Sequence, residues 1–409
     1  MQKLIRRIYL LSFVLSIIIF LLLGYAQMSI PDEINLSNSI DISSNAIFTY
    51  VISNSKEKDE NKIHSQPPGN YEMNIKLFDA IPVKKTKVTM NKRKYVTVSG
   101  DVFGIRMYTD GVMIVSNQEI ETKGDSISPG KEAGLRPGDI IKQVNGKKID
   151  SSSSLSEAVR SSDGKNIETI YLRDGKEKHA TIKPVVSKLD GKYKIGLWVR
   201  DSTAGIGTMT FYERETGMFG GLGHAVCDVD TGFEMPISNG DAVEAQVKGC
   251  YKGKNGTPGE LCGVFSGGSI GELLYNGNTG IYGMLKDYDK NAPVLPVALS
   301  SEIQIGKAQI LSTVDSGNPK YYDIEIVKIF KSNSSVRNMV IKIEDEKLLS
   351  VTGGIVQGMS GTPIIQNGML VGAVTHVFIN DPTKGYAIFA ENMLETAQIV
   401  AEEQLKDAS

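Results

Sequence analysis

The sequence predicts a mainly β protein that follows an N-terminal membrane segment. The 409 residues include 42 glycines but only 7% aromatic residues, a composition that favours short strands and many turns. From about residue 195 onward, short stretches of alternating apolar and polar residues are separated by Gly, Asn and Asp. A chain of this length also exceeds what one hydrophobic core usually organises, so we expect at least two folded units.

The membrane segment is an almost uninterrupted apolar run over residues 8–23, preceded by Lys3, Arg6 and Arg7. Its length lies between that of a signal-peptide core and that of a spanning helix, so an uncleaved anchor and a cleavable signal both stay open. The basic flank places the amino end in the cytoplasm and the rest of the chain outside. We assign residues 1–25 to this segment and expect an exported, membrane-associated protein.

The overall composition excludes several classes of function. The net charge of -2, from 45 basic and 47 acidic residues, gives no broad positive surface for nucleic acid. No His pair stands at i and i+4, so we expect neither a metal nor another cofactor. The odd set Cys227, Cys250 and Cys262 forms no C-x-x-C pair and predicts buried free thiols rather than a disulfide framework.

Residues 26–94 separate the membrane segment from the first domain. Up to about residue 70 they are rich in Asn, Ser, Lys and Glu without sustained periodicity, which predicts a polar tether. Alternation returns at 71–77 and at 87–90, so we expect short lead-in strands there.

A first domain is predicted over residues 95–186. Residues 133–139, Ala-Gly-Leu-Arg-Pro-Gly-Asp, end a short helical turn and lead into a strand at 140–144, which a hairpin turn at Asn145-Gly146 follows. Residues 154–157 fit a capping box, with Leu155 and Val159 on one helical face.

This stretch resembles a PDZ domain. The resemblance implies a groove between a strand and a helix that binds a peptide by strand addition, either a separate ligand or the chain's own tether. It also implies that backbone N–H groups near Phe103, Gly104 and Ile105 hold a carboxylate, although Val102 stands where the family usually has a glycine.

The strongest chemical motif is the glycine-bounded turn of residues 353–365, with Ser360 at its centre. A serine in such a turn before an apolar strand exposes its hydroxyl, and the N–H groups of Gly358 and Ser360 can converge on one oxyanion. Thr362 replaces the last glycine of G-x-S-x-G, which disfavours a sheet-and-helix hydrolase.

A serine nucleophile needs a base, and the chain has four histidines. His64 lies in the predicted tether and His179 in a charged strand, whereas His224 directly follows the glycine-rich run 220–223. His224 is therefore the candidate base. His376 follows the strand directly after the nucleophile turn, so Thr375 and His376 are predicted to line the substrate pocket.

The candidate base His224 precedes the candidate nucleophile Ser360, and the residues between them have the pattern of β-strands. Chymotrypsin-type peptidases have this order, so we predict a double β-barrel over residues 187–409. A closing helix is expected at 390–405. Residues 220–226, 354–368 and 372–378 more closely resemble the sporulation serine peptidase family of stage IV sporulation protein B.

The resemblance implies His224 as base, Ser360 as nucleophile and Asp345 as the acid of the triad. Asp345 lies only fifteen residues before Ser360, closer than the usual order of a chymotrypsin-type acid suggests, so Asp241 and Asp287 stay open as alternatives.

The resemblance further implies a peptidase in the space between forespore and mother-cell membranes. There it would cleave a membrane-bound regulator of an intramembrane protease and so trigger maturation of a sigma factor. Self-cleavage within residues 26–70 is expected, because an exposed segment joined to a peptidase is a local substrate. The alternative is an inactive PDZ adaptor of the cell envelope.

Overall fold

The computed structural model describes residues 2–30, 32–37, 48–53, 69–330 and 336–407. It divides into two compact units. The first comprises residues 1–94 and 296–303, and the second comprises residues 95–295 and 304–409.

The first unit begins with helix α1 (Gln2–Ser29), which agrees with the predicted membrane segment. Within Ile5–Ser29 an 18-residue window has a mean hydropathy of 2.6 and none of that window is buried, so the helix is long and apolar enough to cross a membrane. A long helix that exposes apolar side chains on all sides has no protein core to pack against, which supports membrane association.

The first unit also contains a four-stranded sheet in the order β1-β4-β3-β2. The strands are β1 (Glu33–Ser37), β2 (Phe48–Ser53), β3 (Gly69–Leu77) and β4 (Ile81–Asn91). Alternate residues of β3 and β4, among them Ile75 and Val88, are buried in a small core. The predicted tether thus contains β1 and β2, whereas its residues 38–47 and 54–68 lie outside the described residues.

The second unit holds most of the strands. Its first part contains β5 (Tyr95–Val98), β6 (Val102–Asn117), β7 (Ile120–Glu121), β8 (Ser126–Ile127), α2 (Pro129–Glu132), β9 (Ile140–Val144), β10 (Lys147–Lys148), α3 (Ser152–Ser161), β11 (Ile167–Arg173), β12 (Lys176–Ile182), β13 (Val185–Val186) and β14 (Tyr193–Lys194). Its second part contains β15 (Leu197–Tyr212), β16 (Met218–Gly221), β17 (Ile237–Tyr251), β18 (Glu260–Gly277), β19 (Gly280–Leu285), β20 (Leu295–Pro296, where the units meet in sequence), β21 (Gly306–Ser312), β22 (Lys320–Ile329), β23 (Met339–Ile343), α4 (Glu346–Thr352), β24 (Pro363–Gln366), β25 (Met369–Phe378), β26 (Asp381–Phe389) and α5 (Ala390–Asp407).

Six strands form a first closed ring. β6 pairs with β17, and the ring continues through β18, β19, β16 and β15, which pairs with β6 again. The buried side chains of these strands, such as Phe103, Phe219 and Leu273, fill the ring. Because the ring is closed, its six strands leave no edge inside the barrel for a partner strand.

A second closed barrel follows in the order β21-β22-β23-β26-β25-β24, and helix α5 continues directly from β26. The predicted chymotrypsin-like double-barrel fold and the predicted closing helix are thereby confirmed, but the first barrel also contains β6, which lies before the predicted start at residue 187.

The two barrels do not account for residues 111–199, which form a module with its own core. Helix α3 contributes Leu155 and Val159 to this core, which β9, β11 and β12 complete. The second half of β6 pairs with β9 and with the first half of β15. The module is therefore inserted between the first ring's strands β6 and β15, and both strands extend into it.

All three cysteines are free. The prediction that these thiols are buried is wrong: Cys227 is exposed, and Cys250 and Cys262 are half-buried. Cys227 follows β16, whereas Cys250 lies in β17 and Cys262 in β18.

Candidate active site

Ser360 lies in a tight turn between α4 and β24. Gly358 and Gly361 adopt φ of +94° and +91°, a conformation that side chains disfavour. The N–H of Gly361 donates to the carbonyl of Val374 in β25, 2.8 Å away, and so anchors the turn to the second barrel. The glycines around Ser360 are thus needed for the backbone path itself.

The Ser360 side chain is half-buried, and its hydroxyl donates to the carbonyl of Thr375 at 2.9 Å. Among the described residues, the N–H groups of Gly358 and Ser360 have no recorded hydrogen-bond acceptor. Buried amides usually find an acceptor, so two unengaged N–H groups beside a serine hydroxyl suit an external oxyanion.

His224 follows β16 at the end of the first ring. Its Nδ1 lies 2.8 Å from the carbonyl of Ala225, and this hydrogen bond fixes a proton on Nδ1. Burial lowers the pKa of His224, an effect that the bond to Ala225 partly opposes. The imidazole is therefore neutral near pH 7, with its second nitrogen free of a proton, as a general base requires.

Close contacts between the two barrels bring His224 and Ser360 into one cleft. A methyl group built on Gly223 would lie 2.9 Å from Cγ2 of Thr375, and one built on Gly361 would lie 2.4 Å from the backbone nitrogen of Leu222. The rings of His224 and His376 lie 4.8 Å apart between centroids. No hydrogen bond joins Ser360 to His224 among the described residues, because the Ser360 hydroxyl is turned toward Thr375.

The two residues predicted as pocket walls lie in this cleft. Thr375 is buried, and its Oγ1 has no partner within the described part of the chain. Burial, together with the neighbouring His224 and Arg337, lowers the pKa of His376 to about 4. His376 is consequently neutral at physiological pH and adds no charge to the cleft.

None of the three candidate acids forms a hydrogen bond or ion pair with His224 in the described part of the chain. Asp345 is the N-cap of α4: its Oδ1 accepts the N–H of Leu348 at 2.9 Å. Asp241 lies in β17 opposite Glu272, and Asp287 follows β19 in an exposed position. In the described structure the recorded partner of His224 Nδ1 is instead a backbone carbonyl. Among the described residues no hydrogen bond joins Asp345 to His224, so the role of Asp345 as the acid of the triad stays a prediction.

The N-cap role of Asp345 predicts an effect on stability that can be measured separately from any effect on catalysis. We expect Asp345→Ala to lower the free energy of unfolding by about 1 kcal/mol, and Asp345→Asn, which keeps a capping oxygen, by only a few tenths of that. Urea denaturation of the two variants measures the difference. Turnover by Asp345→Asn then tests the acid role alone: loss of turnover at unchanged stability supports that role, and equal destabilisation by both variants contradicts the cap.

The placement of Phe103, Gly104 and Ile105 corrects a prediction from the sequence. These residues lie in β6 within the first ring, paired with β15 on one side and β17 on the other. Phe103 and Ile105 are buried in the ring's core. With both strand edges occupied, their N–H groups cannot hold the carboxylate of a peptide.

The inserted module has a different groove, of about 520 Å³, beside α3. Leu155 and Val159 of α3 line it together with Leu197 and Val199 of β15. The carboxylate of Asp201 accepts both the N–H and the hydroxyl of Ser152 at the start of α3, at 2.7 and 2.8 Å. On this side β15 pairs with β6, so a strand of the same chain already occupies that edge of β6.

Two models of known protein families match this chain. Residues 191–394 match the family model described as SpoIVB peptidase S55, and residues 100–183 match the model of the PDZ domain. The chain belongs to the SpoIVB peptidase S55 family. The family and the PDZ domain predicted from sequence motifs are thereby confirmed. For this S55 family member, the PDZ domain supports binding of a protein or peptide.

Among curated proteins, 57 residues are 40% identical to "Serine protease HTRA2, mitochondrial" of Drosophila erecta and of Drosophila yakuba. The match covers 14% of this chain and 13% of each relative, so the chain spans only a small part of them. Among solved structures, the PDZ domain of an SdrC-like protein from Listeria monocytogenes is 27% identical, with 22% of this chain and 87% of that chain covered and a TM-score of 0.18. The HtrA-type protease AlgW with decapeptide is 15% identical, with 50% and 55% covered and a TM-score of 0.30.

Proposed function

We propose that this chain is a serine endopeptidase in which Ser360 is the nucleophile and His224 the general base. The observation that supports it best is the shared cleft, in which the Ser360 hydroxyl, two unengaged amides and a neutral imidazole lie together. Membership of a peptidase family supports the same activity.

In this mechanism the Ser360 hydroxyl rotates away from Thr375 and gives its proton to His224. Its oxygen attacks the peptide carbonyl, and the N–H groups of Gly358 and Ser360 stabilise the oxyanion. His224 returns the proton to the leaving amine, and water then hydrolyses the acyl-enzyme by the same route. Apo serine peptidases often show loose catalytic hydrogen bonds, so a rotation of Ser360 is compatible with this sequence of steps.

Membership of this family supports a proposal about the biological substrate. We infer that the enzyme acts between the forespore and mother-cell membranes, tethered through α1, and cleaves the extracytoplasmic part of a membrane-bound regulator. That cleavage would release an intramembrane protease that matures a sigma factor. Self-cleavage within residues 26–70 belongs to the same proposal, and it requires that the wild-type chain shorten over time while Ser360→Ala does not.

Active-site labelling distinguishes the enzyme from an inactive PDZ adaptor. A fluorophosphonate probe is expected to label the full-length wild type, to fail on Ser360→Ala and to react slowly with His224→Ala, because the hydroxyl needs its base. Lack of labelling in the folded wild type would refute the proposal and favour the adaptor.

The lowered pKa of His224 predicts the acid limb of the activity profile. A base with a depressed pKa stays neutral at lower pH, so kcat/KM is expected to rise with pH through an apparent pKa below the ordinary 6.5 and to be flat above it. The value of kcat/KM for casein, measured at evenly spaced pH values from about pH 4 to about pH 9, tests this prediction. An acid limb centred at or above 6.5 would contradict the burial effect.

A further inference from the structure

One residue of the first barrel, Thr208 in β15, holds the nucleophile turn at two points. Its hydroxyl donates to the carbonyl of Gly358 at 2.9 Å, and its N–H donates to the carbonyl of Ser360, also at 2.9 Å. Thr208 is completely buried. Hydrogen bonds that water cannot reach hold their geometry more strongly than exposed ones.

These two carbonyls belong to the residues whose amides are proposed to bind the oxyanion. Along the chain, the N–H of Ser360 lies between the two anchored carbonyls, so its direction is constrained from both sides. Gly358 has no side chain to restrict its backbone, and Thr208 is the recorded donor to its carbonyl in the described structure. The carbonyl of Gly358 belongs to the peptide unit between Gly358 and Met359, and the N–H of that unit donates to the carbonyl of Val356 at 3.1 Å. This unit lies between the two peptide units that carry the N–H groups of Gly358 and Ser360, so the Thr208 hydroxyl restricts rotation at the centre of the oxyanion-binding segment.

The carbonyl of Thr208 accepts the N–H of Leu222 at 3.2 Å, two residues before His224. The same residue thus contacts the backbone of the nucleophile turn and the segment that carries the proposed base. A shift of Thr208 would move both segments relative to each other.

We propose that Thr208 is a positioning residue, whose buried hydroxyl and amide hold the oxyanion-binding amides of Gly358 and Ser360 in their productive direction. This inference rests on the proposed function and adds to it a residue outside the turn and outside the triad. Thr208 contacts neither substrate nor the reacting atoms, so its effect reaches the reaction through the orientation of the two amides.

The chain offers a matched control two residues away. Thr210 lies on the same side of β15, is equally buried, and donates its hydroxyl to the carbonyl of Gly361 at 2.7 Å. Its removal also leaves a buried carbonyl without a donor, but that carbonyl follows the nucleophile and lies outside the oxyanion pair. Thr210→Val therefore measures the general effect of losing a buried hydroxyl in this strand.

The experiment compares full-length wild type, Thr208→Val, Thr208→Ser and Thr210→Val with fluorescein-labelled casein, and records thermal midpoints in parallel. We expect Thr208→Val to lower kcat by about 10²- to 10³-fold with little change in KM, as the loss of one oxyanion donor does. Thr208→Ser keeps the hydroxyl and is expected to keep kcat within about threefold, and Thr210→Val likewise, although its thermal midpoint falls as far as that of Thr208→Val.

Equal losses of kcat in Thr208→Val and Thr210→Val would overturn the proposal, because they would reduce Thr208 to a structural residue. Unchanged kcat in Thr208→Val would also overturn it. If Thr208→Val fails to fold, a folded Thr208→Ser with strongly reduced kcat still contradicts a role for the hydroxyl. Failure of the proposed function is distinct, since the wild type itself would then neither cleave casein nor react with a fluorophosphonate.

Discussion

Replacement of His224 by Ala, of Ser360 by Ala, or of both is expected to lower kcat by a similar factor of about 10⁴ to 10⁶. The two side chains act in one proton transfer, so removal of either disables the same step, and the second replacement adds little. The remaining rate should come from substrate binding and from the amides of Gly358 and Ser360, which these variants keep.

Turnover of labelled casein by the three variants measures this effect, with His179→Ala as the control. His179 lies in β12 with a largely exposed side chain, and its replacement is expected to leave kcat unchanged. Additive losses in the double variant would mean that His224 and Ser360 act in separate steps, and would contradict their assignment as base and nucleophile.

Gly358→Ala is expected to lower kcat by about 10²- to 10³-fold, which is the usual effect of losing one oxyanion donor. At φ of +94° an alanine is strained, and its methyl group would lie 3.1 Å from Cβ of Leu261. Both effects favour rotation of the peptide, which turns the N–H of Gly358 away from the cleft.

Gly368→Ala is the matched control for Gly358→Ala. Gly368 has φ of +74° in the turn between β24 and β25, and a methyl group there would meet no atom within 4 Å. It carries similar backbone strain, of about 1 kcal/mol, without touching the site. Thermal midpoints should fall in both variants, and kcat only in Gly358→Ala; a parallel loss of kcat would show that strain alone explains the effect.

Much of the fold could be predicted because the local patterns agree with it. Alternating strands separated by glycine turns gave the β class, and Leu155 and Val159 are buried on one face of α3 as expected. The start of α3 was misplaced, since Ser151 rather than Ser154 is the N-cap. Four successive serines all satisfy the capping preference, and only tertiary packing decides among them.

The site could be predicted where chemistry restricts the residue types. Ser360 and His224 stand in glycine-rich segments that have few structural alternatives. The role of Asp345 at α4 also has a signal in the sequence, because an aspartate precedes a short helical stretch that ends at Gly353. The contact between Thr208 and Gly358 has none: a threonine in an alternating strand is ordinary, and the contact joins residues 150 positions apart.

The shared strands β6 and β15 limit how this architecture can be divided. A fragment that begins at residue 187 would lack β6, so β15 and β17 would each expose an unpaired edge and the first ring would stand open. The peptide-binding module and the peptidase barrels therefore cannot be separated into two independently folding domains. A mutation that unfolds the module would also break the barrel, and the protein would lose its recognition surface and its catalytic machinery in a single event.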